Sequence, residues 1–268
     1  MTVASPLDVF STTLSPQPST WRQYLALTER NVREVLFRGT WMYSVIAPAI
    51  FTVGYYLPMQ WIMTKTNPGL NYAQFIMPII VLQTASFTMA ATAQQAAMER
   101  RGGFTERLYT MPVSRFAPLG ANLTGGLLRS FIAMTAAIFY GHLIGFRMDG
   151  WAAWVTFYAF ALCTSLVLSL GADVLGSLAS HPTVVGQVLT LPTLIFGLFS
   201  TGFVPESGFP VWARPIVRNQ PVSQLAICLR DLSHGHAHWD ILRAGVIWIG
   251  VLFVIFTPLA IAVRSRKP

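Results

Sequence analysis

Six stretches of the chain, roughly 40–61, 75–98, 120–145, 152–173, 183–201 and 242–263, are apolar almost throughout. A helix rises about 1.5 Å per residue, so about 20 such residues cross the hydrocarbon core of a bilayer. Each stretch predicts a membrane-spanning helix, and Pro48, Pro78, Pro192 and Pro258 within them are tolerated in that setting. Gln83, Gln94 and Gln95 weaken the second span, and Arg129 interrupts the third. Residues 21–37 follow another rhythm. Trp21, Tyr24, Leu25, Val32, Val35 and Leu36 recur at helical spacing, with Arg22, Glu29, Arg30 and Arg33 largely opposite. That pattern predicts an amphipathic helix in the membrane interface. Residues 203–235 follow a third. Pro205, Pro210, Pro215 and Pro221 cut them into pieces too short to span, yet Val222, Leu225, Ala226 and Leu229 form one apolar helix face. Short re-entrant or interfacial helices are expected there, Pro210 and Pro221 each suiting a first helical turn.

Composition agrees with this pattern. Of 268 residues 53% are hydrophobic and only 10% charged, where a soluble domain carries about 25%. The fold class is an all-α integral membrane protein. The net charge of +8 does not make it a nucleic-acid binder, because its arginines lie between apolar segments rather than along one stripe. Residues 1–20 are rich in Pro, Ser and Thr and read as a disordered tail, 21–38 as the interfacial helix and 39–268 as one six-helix membrane domain. Cys163 and Cys228 lie in unlike surroundings far apart, so no disulfide is expected.

Arginine sets the orientation. Arg22, Arg30, Arg33 and Arg38 precede the first span; Arg100, Arg101, Arg107 and Arg115 follow the second; Arg264, Arg266 and Lys267 end the chain. The first and third loops carry one basic residue each, Lys65 and Arg147. The positive-inside rule therefore predicts cytoplasmic termini.

Topology alone does not explain "MERRGGFTERLYTMPVSR", Met98 to Arg115. This stretch holds four arginines and also Glu99 and Glu106, which do little for orientation. Gly102 and Gly103 precede a helix-sized piece that Thr105 could cap and Pro112 would end. A short charged helix held between two spans is a mechanical contact: force on it moves both.

Catalytic readings find little support. No Gly-x-x-x-x-Gly-Lys-[Ser/Thr] occurs, and the lysines, Lys65 and Lys267, follow no glycine-rich turn, so a P-loop for ATP is excluded. His142 and His181 fall at opposite membrane borders and support no Ser-His-Asp site. His234, His236 and His238 alternate in a loop with no cysteine nearby and only a distant carboxylate, Asp240; they read as an incidental polar loop, and no metal is expected.

The interfacial helix, the charged stretch and the proline-broken segment, in this order around six spans, resemble the permease subunits of ATP-binding-cassette type-2 exporters. Glu99, Arg100, Gly102, Glu106, Leu108, Pro112, Ser114 and Arg115 match that family's cytoplasmic signature, although "TMP" at 110–112 stands where many members have Thr-Pro adjacent. Residues 194–232 are similar to the subgroup linked to daunorubicin and doxorubicin resistance, to which mycobacterial-type lipid exporters also belong. The resemblance implies the type V exporter architecture. The stretch containing Arg107 would be a coupling helix seated on an ATPase subunit, and 21–38, with Glu29 and Arg33, a connecting helix. Residues 205–232 would be outer re-entrant helices with Leu225 in a gate. ATP and Mg2+ would sit on the partner ATPase, with no cofactor on this chain. A second permease chain, identical or homologous, would complete the assembly in the plasma membrane, and the cargo would be a hydrophobic drug or a lipid. Phe51, Tyr55 and Tyr56 with Phe196 and Phe199 are candidates to line the path. Arg129 and Asp173 are expected as a bundle-facing structural pair, with a gate near the substrate entrance as the alternative reading. A membrane scaffold that transports nothing is the competing function.

Overall fold

The computed structural model describes residues 19–37, 39–66, 68–104, 114, 116–179 and 181–265. Those residues form helices and no strand. Helix α1 covers Thr20–Phe37. The first span is α2 (Thr40–Phe51), a π-helical turn (Thr52–Tyr56) and α3 (Leu57–Thr66). The π turn precedes Pro58, which has no N–H for the carbonyl four residues earlier, and a widened turn accommodates that gap. Then come α4 (Tyr72–Arg101), α5 (Ala117–Leu143), α6 (Gly150–Leu178) and α7 (Pro182–Leu198). A 3-10 turn (Glu206–Gly208), α8 (Arg214–Asn219), α9 (Pro221–Ser233) and α10 (Trp239–Ser265) complete the described chain.

Among the described residues, five helices are long and apolar enough to cross a membrane: Trp41–Thr66, α4, α5, α6 and Trp239–Val263 of α10. The expected sixth, α7, has 17 residues, ~26 Å of helix against a core of about 30 Å. The apolar run at 183–201 overstates it, because the chain turns at Ser200. That hydroxyl donates to the Gly197 carbonyl and accepts the Gly202 N–H at 3.2 Å, ending the helix.

Helix α4 is the axis of the bundle. Of its apolar stretch 83% is buried, against 17% for the first span and 6% for α10. Close contact depends on small residues, the usual device where no water drives helices together. A Cβ on Gly126 of α5 would lie 2.9 Å from Thr92 Oγ1, and one on Gly176 of α6 would lie 2.2 Å from the Ala93 carbonyl oxygen. The α4 glutamines that weakened the sequence signal fill notches on α7: a Cβ on Gly186 would meet Gln94 at 1.9 Å, and one on Gly197 would meet Gln83 at 2.0 Å. On both antiparallel helices these positions lie about three turns apart, so the two contacts keep one register.

The helix ends gather at two poles. At one, Arg100 of α4 donates to the Ser177 carbonyl of α6 at 2.7 Å, beside α1. At the other, Gln74 and Arg147 exchange side-chain and backbone bonds of 2.8 and 3.0 Å, and Asp149 N–H donates to the Ser233 carbonyl at 3.2 Å. Here α9 buries Leu225, Ala226 and Leu229 in a cluster with Ile76, Ile80, Phe157 and Phe203. Arg230 lies over the Phe75 ring at 3.8 Å and donates to the Phe75 carbonyl at 2.9 Å. Burial lowers the pKa of this guanidinium to about 10, so it stays charged at neutral pH.

Candidate functional site

Three spans carry polar residues at helical spacing, which puts them on one face of each. These are Thr92, Gln95 and Glu99 on α4, Asn122 and Arg129 on α5, and Ser165, Ser169 and Asp173 on α6. In an apolar bundle such stripes must turn towards one another, because lipid offers a polar group no partner. They meet below α1, which adds Arg30 and Asn31.

Asn122 is the centre of the resulting network. Its Nδ2 donates to Glu99 Oε2 at 3.0 Å and to Asp173 Oδ1 at 3.2 Å, while its Oδ1 accepts from Asn31 Nδ2 at 3.0 Å. Asn31 Oδ1 accepts from Arg30 Nη2 at 3.3 Å and from Gln95 Nε2 at 3.4 Å. Arg129 Nη1 donates to Gln95 Oε1 at 2.8 Å, and its Nη2 to Thr92 Oγ1 at 3.4 Å. Arg30 forms an ion pair with Glu99 and lies 4.1 Å from the Phe104 ring centroid. Deeper in the bundle Thr88 bonds Ser130 at 2.7 Å, and Ser130 bonds Ser165. Asp173 is 1% exposed, Asn31 2%, Asn122 4% and Arg129 6%, so each polar contact replaces water that cannot reach it. A cleft of about 430 Å³, lined in part by Arg33, Glu34, Met98 and Phe104, opens onto Glu99 and Gln95.

Both ends of the charged stretch are tied to α1. Glu99 is held by Arg30, and Ser114 N–H donates to Gln23 Oε1 at 2.9 Å. Between them Gly102 closes α4 through its N–H to the Met98 carbonyl at 2.9 Å. Gly103 follows at φ +68°, a conformation that glycine adopts without strain. Arg100 reaches α6, as described above. Glu106, Arg107, Leu108, Pro112 and Arg115 lie outside the described residues.

The other candidates fall elsewhere. Glu29 and Arg33 point outward and pair with each other at 2.8 Å. Arg129 and Asp173 belong to one network, joined through Asn122, Asn31 and Gln95. Phe51 is buried against Phe87 at 4.8 Å and stacks on Tyr55 at 5.7 Å, and Tyr55 lies tilted against Phe203 at 4.5 Å, whereas Phe196 and Phe199 are exposed on and just beyond α7. Leu225 is 4% exposed inside the cluster at the opposite pole. Sequence reasoning passed over Asn31 and Asn122; the available signal was an amide at the depth of a buried charge on a neighbouring helix.

Comparison with known proteins gives consistent results. The sequence model described as ABC-2 family transporter protein matches residues 38–262. The doxorubicin resistance ABC transporter permease protein DrrB of Mycobacterium tuberculosis is 32% identical over 263 residues, covering 93% of this chain and 91% of that protein. The daunorubicin resistance ABC transporter permease protein DrrB1 of Streptomyces coeruleorubidus is 29% identical over 205 residues, 74% and 70% of the two chains. The probable doxorubicin resistance ABC transporter permease protein DrrC of Mycobacterium tuberculosis is 26% identical over 194 residues, 72% and 70%.

Proposed function

Because the chain belongs to the ABC-2 transporter family and is the permease subunit of an ABC exporter, we propose that a separate ATPase docks on the stretch from Glu99 to Arg115. ATP-driven movement then enters the bundle through Arg30, Glu99 and Asn122. The observation that carries this reading is the anchoring of both ends of the stretch to α1, by Arg30–Glu99 and Gln23–Ser114. A push on the stretch therefore moves α1, α4 and α5 together. The pole with α1 faces the cytoplasm, as do both termini, and the membrane is the plasma membrane. ATP and Mg2+ sit on the partner. The exposed apolar side chains of α7, Phe196 among them, and Phe199 just beyond it support a path completed by a second permease chain. The cargo is a hydrophobic or amphipathic molecule, a polyketide-type drug or a complex lipid; the resistance names of the relatives favour the drug.

Reversing Glu106 to Lys is expected to weaken co-purification of the ATPase at least tenfold, with membrane insertion unchanged, because charge at such a surface selects and orients the partner. An unchanged complex and unchanged cargo-stimulated ATP hydrolysis in liposomes would reject the docking assignment, and absence of stimulation in the native pair would favour a scaffold. The orientation has its own check. A cysteine introduced at Lys65 should label from outside intact cells, and one at Gly102 only after permeabilisation; the reverse result would invert the topology.

A further inference from the structure

At the pole opposite α1, the chain reverses between α9 and α10 through Gly235, whose φ is +71°. This turn carries residues 236–238, which belong to no helix or strand, back beside the last turn of α9. The His236 and His238 rings lie 5.2 Å apart, and both stand beside one carboxylate. It is Asp231 on α9, while Asp240 is exposed and pairs with Arg243 at 3.5 Å. His236 N–H donates to the Asp231 carbonyl at 3.2 Å. His238 N–H donates to Asp231 Oδ2 at 2.9 Å, and His238 Nδ1 lies 2.8 Å from Asp231 Oδ1. The ligand atoms of Asp231, His236 and His238 all lie within 4.8 Å of one another.

We propose that Asp231, His236 and His238 form a binding site for a divalent late transition-metal ion, Zn2+ being the natural occupant. Two imidazoles and a carboxylate suit such ions and leave a fourth position for water; Mg2+ and Ca2+ prefer oxygen alone. Bonds of about 2.0–2.2 Å place tetrahedral ligands ~3.4 Å apart, so the cluster needs only side-chain rotation to close. Asp231 is held in place, its side chain 11% exposed, while the His238 side chain is 62% exposed and gives the ion a way in. His234 stacks beside His236 at 6.4 Å between centroids, and its Nδ1 lies 3.6 Å from Asp149 Oδ2. The expectation of an incidental loop rested on the alternating spacing, the lack of a nearby cysteine and a distant Asp240; the carboxylate brought close is Asp231 on the preceding helix. An ion bound here ties the end of α9 to the start of α10.

The test uses the full chain with its ATPase partner in lipid nanodiscs, purified without a histidine tag and stripped with EDTA. Titration with Zn2+ is expected to show one site per permease chain at micromolar affinity. Co2+ in its place should give the visible absorption of a four-coordinate ion. Asp231→Asn, which preserves shape, and the pair His236→Ala/His238→Ala should each weaken Zn2+ binding on the order of 100-fold or more, a ligand's loss costing at least as much as that of a residue supporting it. His181→Ala, far along the chain, should change nothing. Binding retained in both cluster variants, or no binding to the native chain, would overturn the site.

Discussion

Gly176→Leu is expected to leave no folded permease in the membrane, and Gly176→Ala to lower stability by about 3 kcal/mol, the upper part of the usual overpacking range. A Cβ at this position would lie 2.2 Å from the Ala93 carbonyl oxygen and 2.9 Å from its Cα. Those are backbone atoms of α4, the helix on which the others are packed, so relief requires α6 to move away. Gly186→Ala is the informative comparison. Its Cβ would lie closer still to a neighbour, 1.9 Å from Gln94 Nε2, but that neighbour is the end of a flexible side chain and can swing aside. The order of damage should therefore be the reverse of the order of distances. Melting of the two variants in detergent, followed by size-exclusion chromatography, measures it; equal losses would show that α4 and α6 can separate cheaply.

Asn122→Ala should be nearly as severe. It takes a donor from Glu99 and Asp173 together and an acceptor from Asn31. Leaving buried carboxylates short of a hydrogen-bond donor in this way costs about 1.5–3 kcal/mol. Export by the surviving folded protein should fall at least tenfold while the ATPase still co-purifies, since the docking stretch beyond Gly102 keeps its charges. Asn122→Asp should be worse, adding a third carboxylate where two already share one amide. Arg33→Ala, on the exposed Glu29–Arg33 pair, should change stability by no more than about 0.5 kcal/mol. A wild-type melting temperature for Asn122→Ala would contradict the central role given to this side chain.

Much of this architecture can be read from the chain because apolar runs near 20 residues have few other fates. The limit of α7 cannot, because Ser200 ends that helix with its side chain while the run continues in apolar and small residues. The site divides along similar lines. Glu99, Arg129 and Asp173 stand out as charges bordering or inside spans, where each must find a partner. Asn31 and Asn122 do not, since a neutral amide near a helix end is ordinary and its partners depend on packing between helices. Gly176 and Gly186 are likewise unremarkable among glycines that membrane helices tolerate. Their meaning comes from the neighbour that fills the missing side chain's place.

The burial of α4 also bears on the order in which the protein is made. Its serine and threonine hydroxyls are satisfied within the helix itself: Thr84 bonds the Ile80 carbonyl, Ser86 that of Leu82, Thr88 that of Ala85 and Thr92 that of Thr88. They can enter lipid as soon as α4 is synthesised. Arg30 and Asn31 precede it and are ready for Glu99 and Gln95. The remaining partners, Asn122 and Arg129 on α5 and the glycine notches on α7, leave the ribosome later. A nascent chain that ends after α4 thus holds Gln83 and Gln94 in lipid without the helix that receives them. The second span is the most deeply buried helix of the finished protein and the least self-sufficient one during its birth.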